Sequence, residues 1–330
     1  MFNFNKEKFL QEENGALALK PGIEEIVDSI CKKGYKNIFL IGIGGTIAIA
    51  EQIGSIMKSR SEIDVYVENA AEFTTLGNKH FSKDSVVIVD SVSGDTKEVV
   101  EAVKRAKEIG AIVLGFIEKT GSPLAESVDY LISYEGGVLY KFYIAALRFM
   151  YNTGEFNEYD KFFEELKTMP EALLNVKEEA EKKAEEFVDK YKDEPLQYLV
   201  GSGNLWGAAY SYAMCIMEEM QWMHTKSIHA AEFFHGTLEV IEKDTSVILF
   251  KGEDETRPLM DRVEKFVNRV SEKVTVFDSK DYELKGISKE FRGLVSPFVF
   301  RAVTERISKY LEEKRKHPLE IRRYYRRLDY

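Results

Sequence analysis

A junction in which a buried strand passes through a glycine-rich turn into a helical pattern occurs twice in this sequence, and it constrains the fold more than any other feature. The apolar strand Asn37–Gly42 leads into Gly42-Ile43-Gly44-Gly45-Thr46, and the strand Leu196–Val200 leads into Gly201-Ser202-Gly203-Asn204. The two turns begin 201 − 42 = 159 residues apart. A layout repeated at this distance predicts two topologically similar halves.

Strand and helix patterns alternate around both junctions. The further predicted strands are Ile63–Val67, Ser85–Asp90, Ala111–Ile117, Thr245–Phe250 and Val274–Phe277. The predicted helices are Pro21–Lys33, Thr46–Lys58, Thr96–Ile109, Trp206–Met223, Arg257–Val270 and Pro297–Lys316. Short continuous Val/Ile runs are typical of strands buried on both faces, and their alternation with helices predicts parallel sheets covered on both sides. The predicted fold class is therefore α/β, with two doubly wound, flavodoxin-like three-layer halves in tandem.

The same patterns predict the division of the chain into segments. An N-terminal helical segment, a first α/β domain, a helical linker dense in Glu and Lys, a second α/β domain and a C-terminal tail are expected at 1–34, 35–153, 154–194, 195–316 and 317–330.

Composition limits the partners and the compartment. The 46 basic and 56 acidic residues give a net charge of −10, which argues against a nucleic-acid or anionic-membrane partner because both require a basic face. Only Cys31 and Cys215 are present, so no disulfide framework is expected. The N-terminus has no signal-peptide pattern and no apolar run reaches the ~20 residues of a membrane span, which predicts a cytoplasmic protein.

Two loops have the composition of phosphate-binding sites. Gly44, Gly45 and Thr46 follow the first strand, and Ser91-Val92-Ser93-Gly94-Asp95-Thr96 follows Ser85–Asp90. Hydroxyls and backbone N–H groups at a strand-to-helix turn can donate to an anion, which the helix N-terminus also favours. Ordinary helix capping is the alternative for the serine-rich loop. A dinucleotide fold stays open because Glu68 follows the next strand, whereas no P-loop sequence occurs.

An acid/base pair is predicted downstream of the loops. Glu219 lies in the unusually apolar helix Trp206–Met223, where partial desolvation would favour proton uptake and suit a general base. Pairing with a basic residue is the alternative. Three of the five histidines, His224, His229 and His235, fall within twelve residues, but their spacing matches no zinc motif and no metal is expected. Imidazole is instead suited to proton transfer near neutral pH.

The C-terminal residues 316–330 are basic and aromatic, in contrast to the acidic remainder of the chain. Such a segment is either a frayed tail or a strap that folds over the site. Its four arginines would suit a phosphate or carboxylate ligand.

Three segments carry a family resemblance: 229–236 (HAAEFFHG), 218–224 (EEMQWMH) and 317–330 (HPLEIRRYYRRLDY). With the two loops, they resemble the sugar isomerase (SIS) domain superfamily. Within it, the chain is similar to the isomerase half of glucosamine-6-phosphate synthase and, more closely, to fructosamine-6-phosphate deglycases of the fructose-asparagine type. The resemblance covers residues 20–330, as two SIS halves.

The resemblance implies roles for individual residues. Glu219 matches the catalytic glutamate, and His235 matches a histidine that in the family usually reaches the neighbouring subunit, implying a homodimer with a shared active site. The implied substrate and phosphate contacts are Gly44, Gly45, Thr46, Ser91, Ser93, Thr96, Glu232 and Arg323. Val92 and Thr237 depart from the family pattern, where a polar residue and a proline are common.

The function implied is deglycation of a 6-phosphofructosyl amino acid to glucose 6-phosphate and a free amino acid, by acid/base catalysis and without a cofactor. One alternative is an isomerase or aminotransferase-like enzyme acting on fructose 6-phosphate or glucosamine 6-phosphate without a glutaminase domain. The other is a non-catalytic sugar-phosphate sensor. The sequence leaves the attached amino acid open.

Overall fold

The computed structural model describes residues 1–329 and divides the chain into two compact units. The N-terminal unit is Lys6–Pro170, and the C-terminal unit combines Met1–Asn5 with residues 171–329. Tyr330, the last residue of the predicted tail, lies outside the described residues. Within residues 1–329, no helix combines the length and the apolar character that crossing a membrane would require.

The N-terminal unit alternates strands and helices as predicted. Its strands are β1 (Asn37–Gly42), β2 (Val65–Asn69), β3 (Ser85–Ser91), β4 (Ile112–Ile117) and β5 (Tyr130–Ile132). Its helices are α1 (Lys6–Leu17), α2 (Lys20–Lys33), α3 (Gly45–Arg60), α4 (Ala70–Leu76), α5 (Lys97–Ile109), α6 (Pro123–Ser127), α7 (Val138–Asn152) and α8 (Tyr159–Leu166).

The five strands form one parallel sheet in the order β2-β1-β3-β4-β5. The chain leaves β1 toward β2 on one side and returns to β3 on the other, so the strand order reverses between β1 and β3. Ligands of doubly wound sheets bind at the carboxyl ends of the strands at such a reversal. Both predicted phosphate loops begin there, one after β1 and one after β3.

Helices cover both faces of this sheet, and β1 and β3 are therefore buried along their whole length. On one face, Phe39 packs with Phe73 of α4 and Val103 of α5 in a single apolar cluster. On the other face, the ring of Phe116 meets that of Phe142 from α7 edge-on, with centroids 5.1 Å apart. The predicted three-layer arrangement is confirmed for this unit.

The C-terminal unit repeats the layout. Its strands are β6 (Gln197–Gly201), β7 (Thr225–His229), β8 (Ser246–Lys251) and β9 (Lys273–Asp278). Its α-helices are α9 (Met169–Tyr191, apart from its first two residues), α10 (Trp206–Ser211), α11 (Arg257–Val270) and α12 (Lys289–Arg315). The sheet is parallel, in the order β7-β6-β8-β9, which is the order of β2-β1-β3-β4. The prediction of two similar α/β halves is confirmed.

The prediction of one continuous α-helix over Trp206–Met223 is wrong. The chain is α-helical only to Ser211 and continues as a π-helix over Tyr212–Glu218, so that the N–H of Glu219 donates to the carbonyl of Met214, five residues back, at 3.0 Å. The apolar periodicity of this segment correctly indicates a helix, but it cannot distinguish an α-helical turn from a π-helical turn, which contains one extra residue. Strand β7 follows directly and was not predicted from its mostly polar sequence.

Helix α12 begins eight residues before the predicted start at Pro297 and contains that proline. A proline inside a helix has no N–H for the carbonyl four residues earlier, here that of Gly293. The side-chain amide of Asn204 donates to this carbonyl at 2.8 Å. The missing backbone hydrogen bond is thus replaced by one from the glycine-rich turn after β6.

Candidate active site

The loop after β1 presents backbone donors at the reversal of strand order. Gly44 has a φ of +60°, which a residue with a side chain rarely adopts. The Thr46 hydroxyl is used within the loop, accepting from the N–H of Ile43 at 2.9 Å and donating to its carbonyl at 3.0 Å. Within the described residues, the N–H groups of Gly44 and Gly45 have no hydrogen-bond partner. This loop therefore offers N–H groups rather than the Thr46 hydroxyl.

The loop after β3 is folded around Ser91 and Gly94. The Ser91 hydroxyl is buried and accepts from the N–H of Gly94 at 2.9 Å. Gly94 has a φ of +66°, and a Cβ there would lie 2.0 Å from the Ser122 hydroxyl. Ser93 donates to the carboxylate of Asp95. Thr96 caps α5 without a side-chain hydrogen bond to the helix. The structure thus brings the predicted phosphate residues to adjacent strand ends, with Ser93 held by Asp95.

A buried carboxylate lies directly before this loop. Asp90 is the next-to-last residue of β3 and is 7% exposed. Burial raises the pKa of Asp90 to about 7; the positive charge of Lys141 opposes the rise, and the negative charge of Glu118 adds to it. The sequence analysis did not select Asp90, because a single aspartate at the end of an apolar strand carries no distinguishing pattern.

In the C-terminal unit, Glu219 directly follows the π-helix. Such segments are frequent at functional sites, because the extra residue in the turn re-aims the side chains that follow. The Glu219 side chain is 33% exposed. Its Oε1 accepts a hydrogen bond from Nε of Arg322 at 2.6 Å. The alternative of pairing with a basic residue is what the structure shows.

Glu219 and the tail line one cavity of 490 Å³, a size typical of small-molecule sites. Its wall is made from the end of the π-helix segment and from the tail: Glu218, Glu219, Trp222, Met223, His224, Arg322, Arg323, Tyr324 and Tyr325. Both charge signs and several aromatic rings face the same space. The cavity can accept a polar ligand with an anionic group.

Trp222 is a strained residue in this wall. Its φ of +53° is in the left-handed region, which costs a non-glycine residue about 1 kcal/mol. The guanidinium of Arg323 lies 4.1 Å above its ring, and the His317 ring meets it edge-on at 4.3 Å. The predicted substrate contact Arg323 is therefore in the cavity wall, stacked on Trp222. Backbone strain of this kind is not visible in a sequence.

His235 and Glu232 are not in the wall of this cavity. Both are exposed, in and beside the 3₁₀ turn Phe233–His235 that follows β7. Thr237, which departs from the family pattern, is buried, and its hydroxyl is 3.4 Å from Nζ of Lys226. Val92, the other departure, is 65% exposed at the tip of its loop. The structure does not bring His235 next to Glu219 within this chain.

The clearest addition to the predicted site is Arg322. The sequence analysis selected the basic tail but took Arg323 as its substrate contact. Which of four arginines meets Glu219, 103 residues earlier, depends on the path of the tail after α12, which no local pattern specifies.

Comparison with known proteins connects these observations to a family. The SIS domain family model matches residues 33–137. Fructosamine deglycase FrlB of Bacillus subtilis is 32% identical over 320 residues, which are 93% of this chain and 97% of that protein. Fructoselysine 6-phosphate deglycase of Escherichia coli K12 is 25% identical over 325 residues, 97% of this chain and 94% of that protein. A solved Bacillus subtilis structure matches with a TM-score of 0.88 at 30% identity, covering 96% of this chain and all of the other.

Proposed function

Because this chain belongs to the SIS domain family and, within it, to the fructosamine deglycases, we propose that it cleaves 6-phosphofructosyl amino acids to glucose 6-phosphate and a free amino acid. The observation that carries the proposal is the match to a fructosamine deglycase over 97% of that protein. A carboxylate in a cavity of suitable size supports it, because the reaction requires a proton to move between two carbons.

In the proposed reaction, Glu219 is the base. It removes a proton from C1, which bears the amino group. The electrons of that C–H bond form the C1–C2 double bond while the π bond of the C2 carbonyl breaks, and the carbonyl oxygen takes up a proton from solvent to give an enaminol. The same carboxyl group then returns the proton to C2, so that the nitrogen becomes doubly bonded to C1 as a Schiff base. Water adds to this C1 and the amino acid leaves, giving the aldehyde of glucose 6-phosphate. His235 assists opening of the sugar ring by proton transfer.

The phosphate is proposed to bind at the two loops of the N-terminal unit, including Ser91, Ser93 and Thr96. The unpartnered N–H groups of Gly44 and Gly45 support this role, because buried or ligand-facing donors are normally paired. The N-terminus of α5 adds a favourable dipole.

We also propose that the enzyme is a homodimer in which His235 serves the partner's site. Its exposure and its absence from the cavity wall around Glu219 support this role. Mixing Glu219→Gln subunits with His235→Ala subunits, after dissociation and reassembly, is expected to restore activity that neither variant has. The predicted domain limits and the cytoplasmic location remain proposals.

The test is product formation from 6-phosphofructosyl-aspartate, 6-phosphofructosyl-lysine and fructose 6-phosphate, each coupled to glucose-6-phosphate dehydrogenase. We expect glucose 6-phosphate from at least one amino acid adduct, with kcat reduced ~10²–10⁴-fold in Glu219→Gln, the range for losing a general base.

Glu218→Gln is the matched control. This neighbouring carboxylate accepts a hydrogen bond from the Thr225 hydroxyl at 2.5 Å, and its loss is expected to lower kcat less than about tenfold. Product from fructose 6-phosphate alone would identify an isomerase instead. Tight binding without turnover of any compound would identify a sensor.

A further inference from the structure

The guanidinium of Arg322 is bound on one side and available on the other. Its Nε donates to Glu219 at 2.6 Å, and its Nη1 donates to the carbonyls of Leu319 at 2.5 Å and Ile321 at 3.1 Å. Within the described residues, Nη2 has no hydrogen-bond partner. The two carbonyls hold the guanidinium in the cavity wall, so it cannot simply turn away into solvent.

This arrangement conflicts with the role proposed for Glu219. The Glu219 oxygen already accepts a short hydrogen bond from the guanidinium, so it is occupied and cannot at the same time take a proton from carbon. Proton abstraction from carbon requires that the Glu219 carboxylate be released from Arg322, at least in part. Among the described residues of the cavity wall, no other carboxylate is available to replace Glu219 on Arg322. Glu218, the second carboxylate in the wall, accepts a hydrogen bond from Thr225 instead.

An amino acid substrate brings such a group with it. Its α-carboxylate is planar and has two oxygens, which matches the fork of donors on a guanidinium. The cavity is large enough for the amino acid part, and the Trp222 ring and the two tail tyrosines supply flat surfaces beside the charge. A simple amine in the same position would leave Arg322 paired with Glu219.

We propose that Arg322 binds the α-carboxylate of the departing amino acid and in this exchange frees Glu219 for proton transfer. The inference rests on the deglycase function proposed above and makes Arg322 the residue that selects amino acids over plain amines. Recognition of the leaving group and release of the base are then a single event. Arg322 is a positioning residue with respect to proton transfer and a binding residue with respect to the carboxylate.

The test compares two substrates that differ only in the carboxylate: 6-phosphofructosyl-glycine and 6-phosphofructosyl-methylamine. For the wild-type chain, we expect kcat/KM to be about 100-fold higher for the glycine adduct, the scale of a charge pair lost from a binding site. In Arg322→Gln, the glycine adduct is expected to lose about 100-fold, and the methylamine adduct to stay equal or improve, since Glu219 is no longer paired. Arg322→Lys keeps the charge without the fork and is expected to keep part of the preference.

Arg327→Gln is the control within the same tail. Its side chain is exposed, lies outside the cavity wall and makes no ion pair within residues 1–329, so this variant should retain the full preference. An equal loss on both substrates in Arg322→Gln, or a wild-type chain without preference, would overturn the inference while leaving the deglycase function intact. Absence of glucose 6-phosphate from both adducts with the wild-type chain would instead refute the deglycase function, and the inference with it.

Discussion

The corresponding loops after β3 and β8 show how one architecture serves two purposes. Ser93 stands eight residues after the first residue of β3, and Asp254 stands eight residues after the first residue of β8. The Asp254 carboxylate accepts from the N–H of Asn204 at 2.9 Å and from the N–H and hydroxyl of Thr256 at 3.0 and 2.6 Å. In the C-terminal unit, a carboxylate of the chain itself occupies the donors of the junction.

The N-terminal unit leaves the equivalent donors open. Asn204 is seven residues after the start of β6, and Gly44 is seven residues after the start of β1. The N–H of Asn204 is bound by Asp254, whereas that of Gly44 has no partner within the described residues. We therefore expect an anion site where the chain supplies no internal acceptor, and none where it supplies one. The duplicated layout alone does not predict which half binds the proposed phosphate, whereas the loop residues favour the N-terminal unit.

The largest effect is expected from placing a carboxylate in the loop after β3, at the position equivalent to Asp254 in the loop after β8. Ser93→Asp places a negative charge where the phosphate is proposed to bind. We expect kcat/KM to fall about 10³-fold or more, equivalent to about 4 kcal/mol of transition-state binding. The coupled assay measures this loss, and Ser93→Ala, which removes only one donor, should lose about tenfold. A Ser93→Asp enzyme within tenfold of the wild type would place the phosphate elsewhere.

The sixth residues of β3 and β8 differ in charge, and the pH dependence of stability tests this difference. Asp90 is five residues into β3, where β8 has Lys251, which pairs with Asp261 at 2.7 Å. The pKa of Asp90 rises from 3.8 to about 7 on folding because the carboxyl group is buried. The native state then holds a proton that the unfolded chain releases, so this contribution to stability is present at low pH and lost as the pH rises from about 4 to about 7.

Asp90→Asn removes that titration. Relative to the wild type, the variant should gain about 3 kcal/mol of unfolding free energy between pH 5 and pH 8, because the wild type loses about 1.4 kcal/mol for each of the two pH units between 5 and the pKa of about 7. Denaturant unfolding of both proteins across this range measures the difference. A difference that does not vary with pH would mean that Asp90 is ionised throughout.

The smallest effect is expected from removing the Asp254 carboxylate, the internal acceptor of the C-terminal unit. Asp254→Ala leaves the N–H groups of Asn204 and Thr256 without their acceptor and should cost about 1–3 kcal/mol, seen as a lower melting temperature. Inorganic phosphate should recover more stability in this variant than in the wild type, because it can replace the carboxylate. Asp244→Ala, an exposed aspartate just before β8, is the control and should change little.

The sequence was most informative where a pattern is local and repeated. The limits of β1 were predicted to the residue, because six consecutive buried positions bounded by glycine leave little choice. Helix α11 was also predicted to the residue, with a proline near its start and a strongly one-sided apolar face. Both junction loops were recognised by their glycines and hydroxyls. The roles of the individual site residues remain predictions.

The features that were missed depend on distant contacts. Helix α7 was not predicted, and it is buried over most of its length. Strand β7 reads Thr-Lys-Ser-Ile-His and is a strand because β6 pairs with it along its length. The start of α12 was placed at Pro297 because the amide of Asn204, almost ninety residues away, could not be anticipated as a substitute donor.

The π-helix before Glu219 has a genetic consequence. A π-helical turn is equivalent to an α-helix with one residue inserted. Deleting a single codon within 212–218 would restore the α-helical register and rotate Glu219 by about 100° around the helix axis, away from Arg322 and the cavity. We expect the fold to survive such a deletion while the carboxylate proposed as the acid/base group is lost from the cavity. The evolutionary gain or loss of this site can therefore be recorded as one three-nucleotide insertion or deletion, which substitution-based comparison of sequences would not count.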